Sequence, residues 1–230
     1  MLKVLEIFTS AFWVKYGAIL ADGLADTLIM TFVATFFAYL LGLPLGVILT
    51  ATQPHGITPN AVINRILGGI VNIGRSIPFL VLMLAIMPFT KLIVGTRLGI
   101  RGAIVPLVIS AAPFIARMVE TSLAEVDSGV VEAAESMGAS PLQIIWKVYL
   151  PEAKPSLVLG GAISVVTILA YTAIAGSVGA GGLGDLAIRY GHARYETGVM
   201  VVTVILLILL VQLIQFLFNR VSAKVDKRLR

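Results

Sequence analysis

The chain has no cysteine, so it can build neither a disulfide framework nor a thiolate metal site or nucleophile. Charge is scarce too: 13% of its 230 residues are charged and 58% are hydrophobic, about half the charged share of an ordinary soluble domain. At a mean hydropathy of +1.00 too few polar side chains remain to coat a water-facing surface. A soluble enzyme, an isolated nucleic-acid binder and a disordered regulator are all disfavoured together. No Gly-Lys pair occurs, which removes the P-loop cradle for nucleotide phosphates. The two histidines, His55 and His192, are far apart, and no Ser–His–Asp set or carboxylate pair falls inside an apolar run. No catalytic or metal-binding constellation is legible.

What the chain does have is long apolar runs. Charge-free windows cover Thr27–Asn64, Ser76–Thr90, Gly102–Ala116, Pro155–Gly184 and Thr197–Asn219, and a membrane-spanning helix needs roughly 20 such residues. The first window is too long for one helix and reads as a crossing ending near Thr52, followed by a loop at Gln53–Asn64. The second spans if it starts near Ile66 and accepts Arg75. The third, about 22 Å as a helix, must extend past Arg101 or Arg117, whose charged heads can reach the interface. Five crossings result, an all-α integral membrane protein with its termini on opposite sides.

The formal charge of +5 is concentrated by placement: Arg220, Lys224, Lys227, Arg228 and Arg230 crowd the last eleven positions. That pattern fits a membrane-flanking tail facing anionic lipid better than a nucleic-acid surface, and puts the C-terminus in the cytoplasm and the N-terminus outside. Residues 1–22, which lack a signal-peptide pattern, read as a periplasmic or interfacial segment. Residues 23–218 read as the transmembrane domain and 219–230 as a basic cytoplasmic tail.

This orientation leaves a long cytoplasmic loop, 117–154, holding six of the twelve acidic residues. Gly138 can close a first short helix in the left-handed conformation. Ser140, Pro141 and Gln143 form the start of a second, with a capping box. Leu142, Ile145, Trp146 and Tyr149 recur at helical spacing and read as one apolar face, with Pro151 and Pro155 ending that helix. A rigid corner of this kind suits docking to a partner, although folding back onto the bundle is equally consistent with periodicity.

Within the spans, Asn72, Arg75, Ser76, Ser164, Thr167 and Tyr171 are polar positions that are costly in lipid and face a bundle interior or a solute route. Gly42-x-Pro44-x-Gly46 reads as a kinked, closely packed helix. Gly179, Gly181, Gly182 and Gly184 imitate a dinucleotide fingerprint, but no strand precedes them and no soluble βαβ unit surrounds them. They read as a close-packed turn on the outer side, with the freedom to serve as an outer gate.

Glu132-Ala133-Ala134, Gly138, and Val148-x-Leu150-Pro151 resemble the EAA signature of ABC importer permeases, with Val148 where isoleucine is common. Arg75–Phe79, Ala112–Glu120 and Gly179–Gly184 narrow the resemblance to the permeases of bacterial methionine importers, over about Asp22 to Phe218. The resemblance implies a type I ABC importer permease fold, a homodimer in the bacterial inner membrane, and two ABC ATPase subunits. It further implies a periplasmic or lipid-anchored methionine-binding protein, with ATP and Mg on the ATPase and no cofactor on this chain. Through it the corner becomes the coupling helix that docks on the ATPase, carried by Glu132, Ala133, Ala134, Gly138, Ser140, Pro141, Leu142, Ile145, Trp146, Tyr149, Leu150 and Pro151. The residues alone leave open a permease for another small amino acid, or a passive channel or scaffold.

Overall fold

A computed structural model describes residues 6–225. Among these every regular element is helical. A 3₁₀ turn at Glu6–Phe8 leads into α1 (Ser10–Ala51), followed by α2 (Ala61–Ser76), α3 (Phe79–Ala85), α4 (Met87–Val94) and α5 (Gly99–Ala124). Then come α6 (Ser128–Ser136), α7 (Pro141–Ile144), α8 (Lys154–Gly176), α9 (Gly182–Leu186) and α10 (Thr197–Val225). Lys227, Arg228 and Arg230 of the basic tail lie outside the described residues.

Among the described residues four helices, α1, α5, α8 and α10, are long and apolar enough to cross a membrane, and α2 with α3 makes a fifth if that bent pair is one span. The weakest of the expected crossings becomes secure in length, because α5 runs for 26 residues and takes in both Arg101 and Arg117. The second is not the continuous helix expected. It starts earlier, at Ala61, where the Asn60 side chain accepts the Val62 and Ile63 N–H groups as an N-cap, and it breaks with a bend of 100° between Ser76 and Phe79. Pro78 accounts for the break: it offers no N–H and pushes the preceding Ile77 into an extended conformation, φ −86° and ψ 122°.

No break in α1 marks the expected boundary at residue 22. The helix is continuous for 42 residues, about 63 Å, or twice the hydrocarbon thickness. Asp22 and Asp26 end the apolar run, but an aspartate inside a helix costs only about 0.7 kcal/mol relative to alanine, too little to end the helix itself.

The chain forms two compact units, one of residues 1–36, 78–108 and 165–215, the other of 37–77, 109–164 and 216–230. In the first, Phe12, Tyr16 and Leu20 of α1 pack with Leu183 and Leu186 of α9 and with Val199 and Val202 of α10. In the second, Leu49, Val71 and Ala116 form one core cluster, with Leu45 and Leu67 against it. Its tightness comes from Gly42 and Gly46: a Cβ on either would stand 2.7 Å or less from the Ala112 or Ala116 carbonyl of α5. The expected close packing is present, and α1 remains helical through Pro44.

Candidate functional site

The corner between α5 and α8 is assembled from capping chemistry. Asp127 starts α6 by accepting the Gly129 N–H at 2.7 Å. Gly138, at φ +79°, ends it in a Schellman motif, with Gly138 N–H donating to Glu135 C=O at 2.9 Å and Ala139 N–H to Ala134 C=O at 3.0 Å. Two residues later the capping box forms as read from the sequence: Gln143 N–H donates to Ser140 Oγ at 3.4 Å, and Ser140 N–H to Gln143 Oε1 at 2.8 Å. Pro141 occupies the first helical turn.

Beyond that point the structure departs from the helical-wheel reading. Ile145–Tyr149 is a π-helical turn, and the helix goes on through Leu150–Glu152 with Pro151 inside it, so Pro151 does not end it. Having no N–H, Pro151 can make no bond to Lys147; the wider turn ahead of it, in which Leu150 N–H reaches Ile145 C=O, takes up the ring. The register shift divides the single apolar face expected. Tyr149 turns inward, as does Ile144, which the spacing did not single out, while Leu142 and Trp146 stay 69% and 68% exposed and Ile145 is half-buried. Met137, 82% exposed, adds to the outward apolar surface. Glu132 and Ala133 are exposed, Ala134 is buried, and Leu150 is half-buried. Burial raises the Tyr149 phenol above its ordinary range, and the Glu135 carboxylate adds to the rise.

Asn72, Arg75 and Ser76 lie exposed near the end of α2. Asn72 is engaged: its Oδ1 accepts from Arg117 Nη2 at 2.7 Å, and Arg117 Nη1 donates to Glu120 Oε2 at 2.7 Å. Gln53 Nε2 donates to the other Glu120 oxygen at 3.1 Å. By sequence Arg117 reads as a head reaching the interface; its partner Asn72 is 45 positions away, and no local spacing marks the pair. Ser76 Oγ donates to the Asn72 carbonyl at 2.7 Å. Ser164 is fully buried and its Oγ donates to Gly160 C=O at 2.8 Å, a bond within its own helix. Thr167 and Tyr171 are half-buried, and Tyr171 stacks on Phe79 with ring centroids 4.6 Å apart.

The glycine turn after α8 is buried at Gly182, Leu183 and Gly184. Gly179, Gly181 and Gly182 all have φ between +81° and +87°. A Cβ on Gly182 would meet Thr27 Oγ1 at 2.8 Å, and one on Gly184 would run into the Ala173 backbone. The Leu183 N–H donates to Thr27 Oγ1 at 2.9 Å, which ties the turn to α1. Thr27 had no signal in the sequence. The close packing expected of the turn is present.

Long apolar helices joined by a capped corner fit the membrane part of a transport system. Residues 42–230 match the family described as binding-protein-dependent transport system inner membrane component; the chain belongs to that family and is a multi-pass inner-membrane protein. More particularly, it is 55% identical over 190 residues, 83% of this chain and 84% of the relative, to the probable D-methionine transport system permease protein MetI of Vibrio cholerae. It is 46% identical over 189 residues, 82% of this chain and 87% of the relative, to the corresponding protein of Pasteurella multocida. Among solved structures, a chain of the MetNI methionine ABC transporter in an inward-facing conformation superposes with a TM-score of 0.91 at 48% identity, covering 93% of this chain and 99% of that one. An amino acid ABC transporter solved with histidines shares the fold at a TM-score of 0.76 and 20% identity, covering 94% of this chain and 98% of that one.

Proposed function

We propose that this chain is the permease subunit of an ATP-driven methionine importer, working as a homodimer with two copies of a separate ATPase and receiving methionine from a periplasmic or lipid-anchored binding protein. The C-terminus faces the cytoplasm, which puts the corner at 127–152 inside and the glycine turn outside. ATP and Mg act on the ATPase chain. ATP-driven closure of that chain pushes on the corner, and the permease switches between outward and inward access. The drive is the difference in contact energy that the docked corner has in the two states. Glu132, Ala133, Ala134 and Gly138 allow close approach. Ser140, Pro141, Leu150 and Pro151 stiffen the knob; Leu142, Ile145 and Trp146 form its contact surface; Tyr149 anchors it. Asn72, Arg75, Ser76, Ser164, Thr167 and Tyr171 line or shape the route, and Gly179, Gly181, Gly182 and Gly184 form the outer gate.

The observation that carries this reading is the corner itself. It is closed by a Schellman motif and a capping box and still leaves Met137, Leu142 and Trp146 exposed, an apolar surface that a cytoplasmic partner would cover. The methionine assignment is supported by the high identity to MetI relatives. The test is uptake of labelled methionine into proteoliposomes holding the permease, its ATPase and its binding protein. Uptake should require ATP and fall on competition with methionine more than with other amino acids. With Glu132→Lys, ATP hydrolysis should continue while uptake drops about tenfold, a loss of about 1.4 kcal/mol of coupling. Wild-type uptake in that variant would remove the coupling role.

A further inference from the structure

An open cavity of about 590 Å³ lies beside the glycine turn, with Asp26, Arg101, Asp185 and Arg189 among its lining residues and Leu98 and Ile100 as its apolar wall. Its volume falls in the roughly 300–1,000 Å³ range of small-molecule clefts. Its charges divide into two groups. Arg189 and Asp185 neutralise each other across 2.7 Å, one helical turn apart. Asp26 and Arg101 make no ion pair among the described residues, so the cavity offers one uncommitted negative and one uncommitted positive group.

Asp26 is held in place. The Gly182 backbone N–H lies beside its carboxylate, and a Cβ on Gly181 would stand 3.3 Å from its Oδ2, so any side chain at 181 would crowd the carboxylate. An ionised carboxylate has about four acceptor positions; one backbone donor leaves room for an ammonium. Arg101 brings a planar fork suited to a second carboxylate.

We propose that this cavity is a binding site for a free zwitterionic amino acid, its α-carboxylate on the Arg101 guanidinium, its α-ammonium on the Asp26 carboxylate and its side chain along Leu98 and Ile100. The ligand matches because it carries one charge of each sign close together and an apolar remainder. The assignment of methionine as that amino acid rests on the importer reading above. In that reading the cavity holds the solute next to the turn that must move to admit it.

Binding of labelled methionine to the full-length permease in lipid nanodiscs tests this, with methioninamide, which lacks the carboxylate, and N-acetylmethionine, which lacks the ammonium, as competitors. Each competitor should displace the label about tenfold less well than methionine. Arg101→Gln and Asp26→Asn should each weaken binding about tenfold or more, and Arg101→Lys about threefold or less. Replacing the internal pair, Asp185→Asn with Arg189→Gln, should leave binding within about threefold. Absence of saturable binding to the wild type, equal displacement by the capped compounds, or unchanged binding in Arg101→Gln would overturn the site. Arg101 is exposed, so its variants remain informative if Asp26→Asn fails to fold. Methionine uptake by the complete reconstituted transporter separates the two claims: failure of the wild type to import overturns the importer reading, whereas normal import with an unchanged KM in Arg101→Gln overturns the cavity alone.

Discussion

The corner at 127–152 and the glycine turn at 176–192 use the same parts and expose them differently. Each has a left-handed glycine, a very short helix and a π-helical turn, Ile145–Tyr149 in one and Ala187–His192 in the other. At the corner, nothing lies within 4 Å of where a Gly138 Cβ would stand, and large apolar side chains point outward. At the glycine turn Gly182 and Gly184 are buried, and a Cβ on them would meet Thr27 and the Ala173 backbone directly. The corner needs glycine for a dihedral angle; the turn also needs it for space. A segment that is rigid within itself but uncovered is suited to transmit a push. One whose backbone is packed against its neighbours at Gly182 and Gly184 can move there only if those neighbours move with it.

Substitutions can sharpen or break that contrast, ordered here by the stability each should cost. Gly184→Ala should cost most, about 1–3 kcal/mol or more, because the new methyl has backbone rather than a flexible side chain in its way. A fall in the thermal midpoint of the purified permease would register it, and an unchanged midpoint would show that the turn is loose. Thr27→Val leaves the buried Leu183 N–H without its acceptor and should cost about 1–3 kcal/mol by the same measurement. Gly138→Ala should cost about 1–2 kcal/mol, from the left-handed dihedral alone, with no packing defect. Leu142→Ala combined with Trp146→Ala should leave the midpoint of the permease unchanged within error, since both side chains are already in solvent; a clear drop would mean that they pack within the subunit. Alanine at Gly182 would not test gate flexibility cleanly, because a Cβ there would meet both Thr27 and Met30.

The local chemistry of the corner was legible because capping is a short-range code. Gly138, Ser140, Pro141 and Gln143 each specify a dihedral or a hydrogen bond within three residues. An extension of α5 past Arg101 or Arg117 followed from hydrocarbon thickness, and the helix takes in both. What escaped the sequence depended on less local effects. The bend at Ile77–Pro78 needed one proline's backbone effect to override an apolar run. The inward turn of Tyr149 and Ile144 arose from a π register that a 3.6-residue wheel cannot represent. The Asn72–Arg117–Glu120–Gln53 network joins positions up to 67 apart, and its residues were separately read as pathway, interface and loop. The glycine signature drew attention to the turn, but its partner Thr27, 156 positions from Leu183, carried no mark.

The central claim, that the exposed apolar knob transmits force from a separate ATPase, is tested most directly by comparing methionine uptake with ATP hydrolysis in proteoliposomes containing the complete transporter. The comparison is between wild type and the Leu142→Ala, Trp146→Ala double variant. The account predicts a variant that inserts and retains its thermal midpoint but imports about tenfold less methionine per ATP hydrolysed. Import per ATP equal to wild type would contradict it.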